Sequence, residues 1–128
     1  MNNEELKERT KKFAFRCVKL AMALSDNKIE QHIRMQLVEL STSCAVNIRA
    51  AFLSEKNIVI TDKLSKALEE IDGCCFWIEC IITEAIKREG KVNPLLSEAL
   101  ELRNGLFQLL NNTEKNEVLN HELNTGLK

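Results

Sequence analysis

Four cations stand at helical spacing near the start of the chain. Arg9, Lys12, Arg16 and Lys19 are separated by three, four and three residues, which puts them on one face of an α-helix. Such a stripe can neutralise successive phosphates of a nucleic-acid backbone, each contact adding a salt-sensitive contribution. The same spacing also suits a solvated bundle face. None of the stripe's own positions is aromatic, so stacking on single-stranded bases has no platform among the four.

The other reactive residue types converge on nothing. Five cysteines, Cys17, Cys44, Cys74, Cys75 and Cys80, form no CxxC or CxxH pair, and His32 and His121 lie far from them in sequence. A zinc site needs about four soft ligands at suitable spacings. The thiols read instead as small buried hydrophobes of a reducing, cytoplasmic protein. Neither histidine follows a Glu by three residues, as a di-iron bundle would want, and both sit in polar surroundings that place them on the surface. There is no Gly-rich phosphate loop and no GxSxG elbow. The expectation is no catalytic residue, no metal, no cofactor and no enzymatic activity.

The elements that carry these residues are helical. Of 128 residues, 45% are apolar, Tyr is absent, and one Pro and four Gly are too few to punctuate a sandwich or barrel. Residues 1–60 carry ten Lys/Arg against seven Asp/Glu, or +3, and residues 61–128 carry eight against twelve, or −4. That asymmetry fits a basic face or complementary self-association. No apolar run reaches the ~20 residues needed to span a bilayer, and no signal-peptide core follows the N-terminus.

Apolar residues recur at alternating spacings of four and three in four segments. The first runs from about Glu4 to Leu24, with Leu6, Thr10, Phe13, Cys17, Leu20 and Leu24 as its seam. Asp26 is a candidate N-cap for the second, which runs from about Ile29 to Glu55 on Ile33, Leu37, Leu40, Cys44, Asn47 and Ala51. Thr61 and Asp62 can cap a third that continues to about Glu89 and Gly90. Its seam is Leu64, Leu68, Ile71, Cys75, Ile78, Ile82 and Ala85, with Ala67, Cys74, Trp77 and Ile81 alongside. Asn93-Pro94 is a helix start, and the fourth seam ends near Asn111-Asn112. The fold class is all-α: an up-down-up-down antiparallel four-helix bundle over residues 1–112. Residues 113–128 form a polar tail that frays or makes a short extra helix packed on a partner.

Three features fall outside this pattern. Asn47 occupies a seam position, where one amide can fix register. Its partner is either the hydroxyl of Thr10 or a backbone carbonyl of its own helix. Gly73 lies inside a helix, at about 1 kcal/mol relative to alanine. The third helix is apolar on more than one side, and in a four-helix bundle no helix is central. Phe76, Trp77 and Ile81 are therefore the candidate subunit interface.

Three stretches resemble a known family when taken in order: LKERTKKFAFRCVKLAMAL (residues 6–24), QLVELSTSCAVNIRAAF (residues 36–52) and KLSKALEEIDGCCFWIECI (residues 63–81). They carry an RTxxFA opening (Arg9, Thr10, Phe13, Ala14), a QL…S…N block (Gln36, Leu37, Ser43, Asn47) and a Trp-containing third helix (Phe76, Trp77, Ile78). Over roughly residues 5–110 the chain resembles the bacterial four-helix-bundle family named for proteins encoded in intervening sequences of 23S ribosomal RNA. The resemblance implies a homopentamer without enzymatic activity, acting on ribosomal or other structured RNA through a basic surface. A related bundle, the accessory protein of diversity-generating retroelements, is likewise pentameric and works with nucleic acid and a reverse transcriptase. This chain departs from the pattern at Glu39, Ala50 and Gly73, where members commonly carry a base, an acid and an acid. One polar constellation is thereby removed. The cations of the first helix remain, and Arg34 and Arg49 join them as candidate nucleic-acid contacts. An adaptor that binds protein and has no nucleic-acid role is the other reading.

Overall fold

The computed structural model describes residues 1–86 and 89–126, the side chains of 89, 117–121 and 124–126 excepted. The described residues form four helices: α1 (Asn3–Met22), α2 (Lys28–Leu53), α3 (Asn57–Thr83) and α4 (Glu89–Gly126). Each packs against its neighbour in the chain, and α4 returns to α1. Short connections make neighbours antiparallel, and the result is the four-helix bundle expected from the periodicity.

Local chemistry sets most helix ends. Asn2 caps α1 by accepting from the Glu5 N–H at 2.8 Å. Asn27, not Asp26, caps α2, accepting from the Glu30 N–H at 2.9 Å, while Glu30 reaches back to the Ser25 N–H at 3.0 Å. This reciprocal arrangement satisfies two orphan donors. α3 begins at Asn57 without any side-chain cap, so Thr61 and Asp62 lie inside it. Ile60 packs against the core and carries the helix past them. α3 stops at Thr83 rather than near Glu89. Ala85 there adopts φ 51°, with Ile86 N–H donating to the Ile81 carbonyl and Ala85 N–H to the Ile82 carbonyl. That is a Schellman closure with alanine in the position glycine usually takes.

α4 starts a turn before Asn93, so Pro94 lies inside it and removes one helical hydrogen bond near its start. It does not end near Asn112 either. It runs unbroken to Gly126, so residues 113–126 continue α4 and do not form a separate short helix. Among the described side chains of α4, none beyond Leu110 is buried.

The core is built from Phe13 and Cys17 of α1, Leu37 and Ile48 of α2, Ile71 and Ile78 of α3, and Leu102 and Leu106 of α4, all essentially without exposure. In α2 the buried stripe is centred on Leu37, Ser41, Cys44, Ile48 and Ala51, which leaves Leu40 and Asn47 half-buried on the side facing α3. Gly73 explains the displacement. A Cβ there would lie 2.8 Å from Leu40 Cδ1, so the missing side chain makes room for Leu40 between α2 and α3.

Candidate nucleic-acid interface

The cations of α1 have different partners. Arg9 points at α4, where its guanidinium donates to both carboxylate oxygens of Glu98, Nε at 3.0 Å, and to Glu101 at 2.5 Å. The hydrogen bond to Glu98, with that to Glu101 and the two negative charges, raises its pKa above an already high value against the opposing effect of burial. Arg9 therefore belongs to the α1/α4 seam and is withdrawn from phosphate. Lys12, Arg16 and Lys19 are exposed, and none takes part in the ion pairs found among the described residues.

Arg34 is also committed to structure. It donates to the carbonyls of Ala21 at 3.0 Å, Leu24 at 2.7 Å and Ser25 at 3.2 Å, and pairs with Asp26 at 3.3 Å. A guanidinium at the end of α1 satisfies carbonyls that the helix leaves open and complements its dipole. Arg49 is exposed on α2 and lines neither of the depressions that Arg16 lines. The six sequence-expected contacts thus reduce to one coherent face of three, Lys12, Arg16 and Lys19.

That face gains a residue the sequence reading missed. Arg16 and Lys19 line a groove of about 890 Å³ between α1 and the start of α4, and Lys91 contributes a third cation from α4. Leu20, Ala23, Val92, Pro94 and Leu95 complete its walls. α1 and α4 are the least closely packed neighbours in the bundle, which leaves the groove open. Sequence spacing held no sign of Lys91, because only the return of α4 to α1 brings it there.

Neither polar residue expected to pair does so with the other. Thr10 is buried and donates to the carbonyls of Leu6 at 2.9 Å and Lys7 at 3.0 Å, within its own helix. Asn47 Nδ2 donates across to Glu70 Oε1 of α3 at 2.7 Å, so the amide ties α2 to α3.

The expected interface trio also divides. Ile81 has no exposure and belongs to the core, so it cannot meet another subunit, whereas Phe76 is 60% exposed. Trp77 is half-buried, edge-on to His32 at 5.4 Å and to Phe76 at 5.0 Å between centroids. His32 thus flanks an aromatic pair; the side chain of His121 lies outside the described residues.

Further large apolar side chains lie outside the bundle. Arg9 marks the side of α1 that faces α4, and Phe15 and Met22 lie about 120–140° around the helix from it, past Lys12 and Lys19, on the face turned away from the core. Met35 and Val46 of α2 are exposed as well. Asp72 and Arg103 pair at 2.9 Å between α3 and α4. Phe76 and Phe107 follow Asp72 and Arg103 by one helical turn each and are exposed.

Three of the buried thiols are held in the protonated form. All five cysteines are free, and all but Cys80 are buried. Burial raises the pKa of Cys44 and pushes Cys75 up to about 11, while a hydrogen bond with Cys17, followed by burial, raises Cys74. Thiolate, the nucleophilic form, is therefore scarce at neutral pH. A thiol whose pKa is raised by folding stabilises the fold fully below the unfolded value of about 8.5, and that contribution is lost as pH rises through the folded value. The urea midpoint is accordingly expected to hold to about pH 8 and to fall between about pH 8.5 and 11. An aromatic disulfide reagent should meanwhile titrate Cys80 alone in the native protein. Rapid labelling of all five thiols before unfolding would contradict this. Among the described residues, no three His, Cys, Asp or Glu side chains are grouped to hold a metal ion, and no helix is long and apolar enough to cross a membrane.

No family model and no curated protein matches the chain. Among solved structures it is similar to the crystal structure of a protein of unknown function from the S23 ribosomal protein family of Bacteroides thetaiotaomicron VPI-5482. The TM-score is 0.78 at 23% identity, over 87% of this chain and 99% of that one. The likeness is one of fold. It spans nearly the whole of the neighbour, so the bundle is shared and not a fragment of it.

Proposed function

We propose that the protein is a non-catalytic bundle that assembles into a closed ring of identical subunits and holds structured RNA, ribosomal RNA first, through the phosphate contacts of α1. The carrying observation is the exposed row of Lys12, Arg16 and Lys19, which has no carboxylate partner among the described residues and is joined across the groove by Lys91. The fold it shares with a protein of the S23 ribosomal protein family supports the choice of RNA.

Self-association draws on the exposed apolar residues as two bands, Phe15, Met22, Met35 and Val46 of α1 and α2, and Phe76 and Phe107 of α3 and α4. A contact between the two joins different surfaces. Heterologous contacts of this kind close into rings when the rotation allows. The family resemblance supports five as the number. Five free thiols fit a reducing, cytoplasmic setting.

The RNA reading is tested by titrating the protein against a 23S ribosomal RNA fragment over a range of salt. About three neutralised phosphates per subunit correspond to a slope of roughly −2 to −3 in log K against log salt. Affinity should therefore fall roughly 20- to 40-fold between about 50 and 200 mM salt. A flat salt response or no binding at low salt would reject the RNA role. The exposed apolar bands would then favour the protein adaptor.

A further inference from the structure

Two depressions meet on the cationic face. The larger is the groove with Leu20, Ala23, Val92 and Leu95 on its walls and Arg16, Lys19 and Lys91 around it. The smaller is lined by Asn93 and Ser97 together with Glu98 and Glu101, whose charges are already engaged by Arg9. Arg16 and Pro94 line both. Cations, an apolar recess and a neighbouring amide and hydroxyl are therefore contiguous within one patch.

A continuous duplex would use little of this. The phosphates of an A-form helix need charge and shape, and its bases stay stacked inside. An apolar recess beside three cations instead matches a nucleotide whose phosphate is held at the rim while its base has left the stack. Unpaired RNA bases are commonly held against apolar, aromatic or guanidinium surfaces and read along their polar edges. Arg16, which lines both depressions, offers a guanidinium plane, and Asn93 and Ser97 offer edge partners in the smaller one.

Building on the RNA-binding reading, we infer that the α1/α4 groove receives an extruded nucleotide, so that the preferred ligand is RNA with a bulged or looped-out base and not uninterrupted duplex. Arg16, Lys19 and Lys91 hold its phosphate, and the recess formed by Leu20, Ala23, Val92 and Leu95 takes the base.

The test uses the full-length protein and two fluorescent RNA hairpins that differ by a single unpaired adenosine. The bulged hairpin is expected to bind about tenfold tighter by anisotropy, in keeping with what one base gains on a stacking surface. Ala23→Glu places a carboxylate on the recess at an exposed position. It should bring the ratio of the two affinities close to one, with the far-ultraviolet circular dichroism unchanged. Equal binding of both hairpins by the wild type overturns the nucleotide pocket and leaves RNA binding standing. A tenfold preference that survives Ala23→Glu places the preference elsewhere and also overturns it. If neither hairpin binds at low salt, the RNA reading fails and the pocket fails with it. An acidic amphipathic peptide that binds the groove when neither hairpin does is the protein-partner outcome, and it rejects both.

Discussion

Ile81→Ala is expected to destabilise the fold by about 2–5 kcal/mol, while Phe76→Glu leaves the fold intact and breaks the assembly. The two residues lie five positions apart on α3, and both were candidates for the subunit interface. Ile81 has no exposure and Phe76 has 60%. Removing three carbons from a closed core leaves a cavity as well as losing transfer free energy, and α3 is held in place by α2 on one side and α4 on the other. Against a total stability of about 5–15 kcal/mol, the urea midpoint of Ile81→Ala should fall steeply. A carboxylate at Phe76 stays in water in the free subunit but is buried without a partner when two apolar bands meet. Light scattering should then report species approaching 14.6 kDa for Phe76→Glu and a larger, homogeneous particle for the wild type. Trp77 packs edge-on against Phe76, so its fluorescence should shift on dissociation. A wild type that is already monomeric at high concentration would refute the ring. A Phe76→Glu variant as unstable as Ile81→Ala would refute the separation of core from interface.

That separation was only half legible in the sequence. A helix with apolar residues around more than half its circumference announces a second buried face but not which residues form it. On α3 the choice depends on where α2 and α4 sit, and this is fixed by contacts such as Asn47 to Glu70 and Arg103 to Asp72. The seam of α1 was readable because its residues keep an unbroken four-three spacing, and every seam position except Leu20 is buried. In α2 the same reasoning chose a stripe passing through Leu40 and Asn47 and missed Ile48. The reason lies outside α2, in the space that Gly73 leaves on α3. An absent side chain leaves no trace in the pattern of the helix that fills the space.

The polar residues follow the same logic. Thr61 and Asp62 are good caps in isolation, yet α3 is already helical four residues earlier because its first turns have core to pack on. Arg34 reads as a surface cation at its place in the sequence, but it lies within reach of three carbonyls at the end of the preceding helix. Long side chains report on what the tertiary fold brings close, and their sequence neighbours say little about that.

Arg9 shows this most clearly, and it separates a structural cation from an RNA-binding one. Lys12→Ala, Arg16→Ala and Lys19→Ala combined are expected to remove most of the salt-dependent affinity, flattening the slope by about 2–3, with little change in stability because all three are exposed. Charge reversal to Glu at the same three positions should abolish binding. Arg9→Ala should do the opposite. Its guanidinium joins Glu98 and Glu101, and without it Glu98, at 19% side-chain exposure, is left beside another carboxylate one turn away. The partial burial puts the loss between that of an exposed pair and a buried one, about 1–2 kcal/mol, visible in the urea midpoint. The RNA affinity of the folded variant should fall only slightly, through the uncompensated charges of Glu98 and Glu101, and the salt slope should hold. Double replacement of Arg9 by Ala and Glu98 by Gln separates these effects, since it removes one newly exposed charge and should restore part of the stability. If Arg9→Ala lowers the salt slope as much as Arg16→Ala does, then all four cations act as one stripe. The structural assignment of Arg9 would then be wrong.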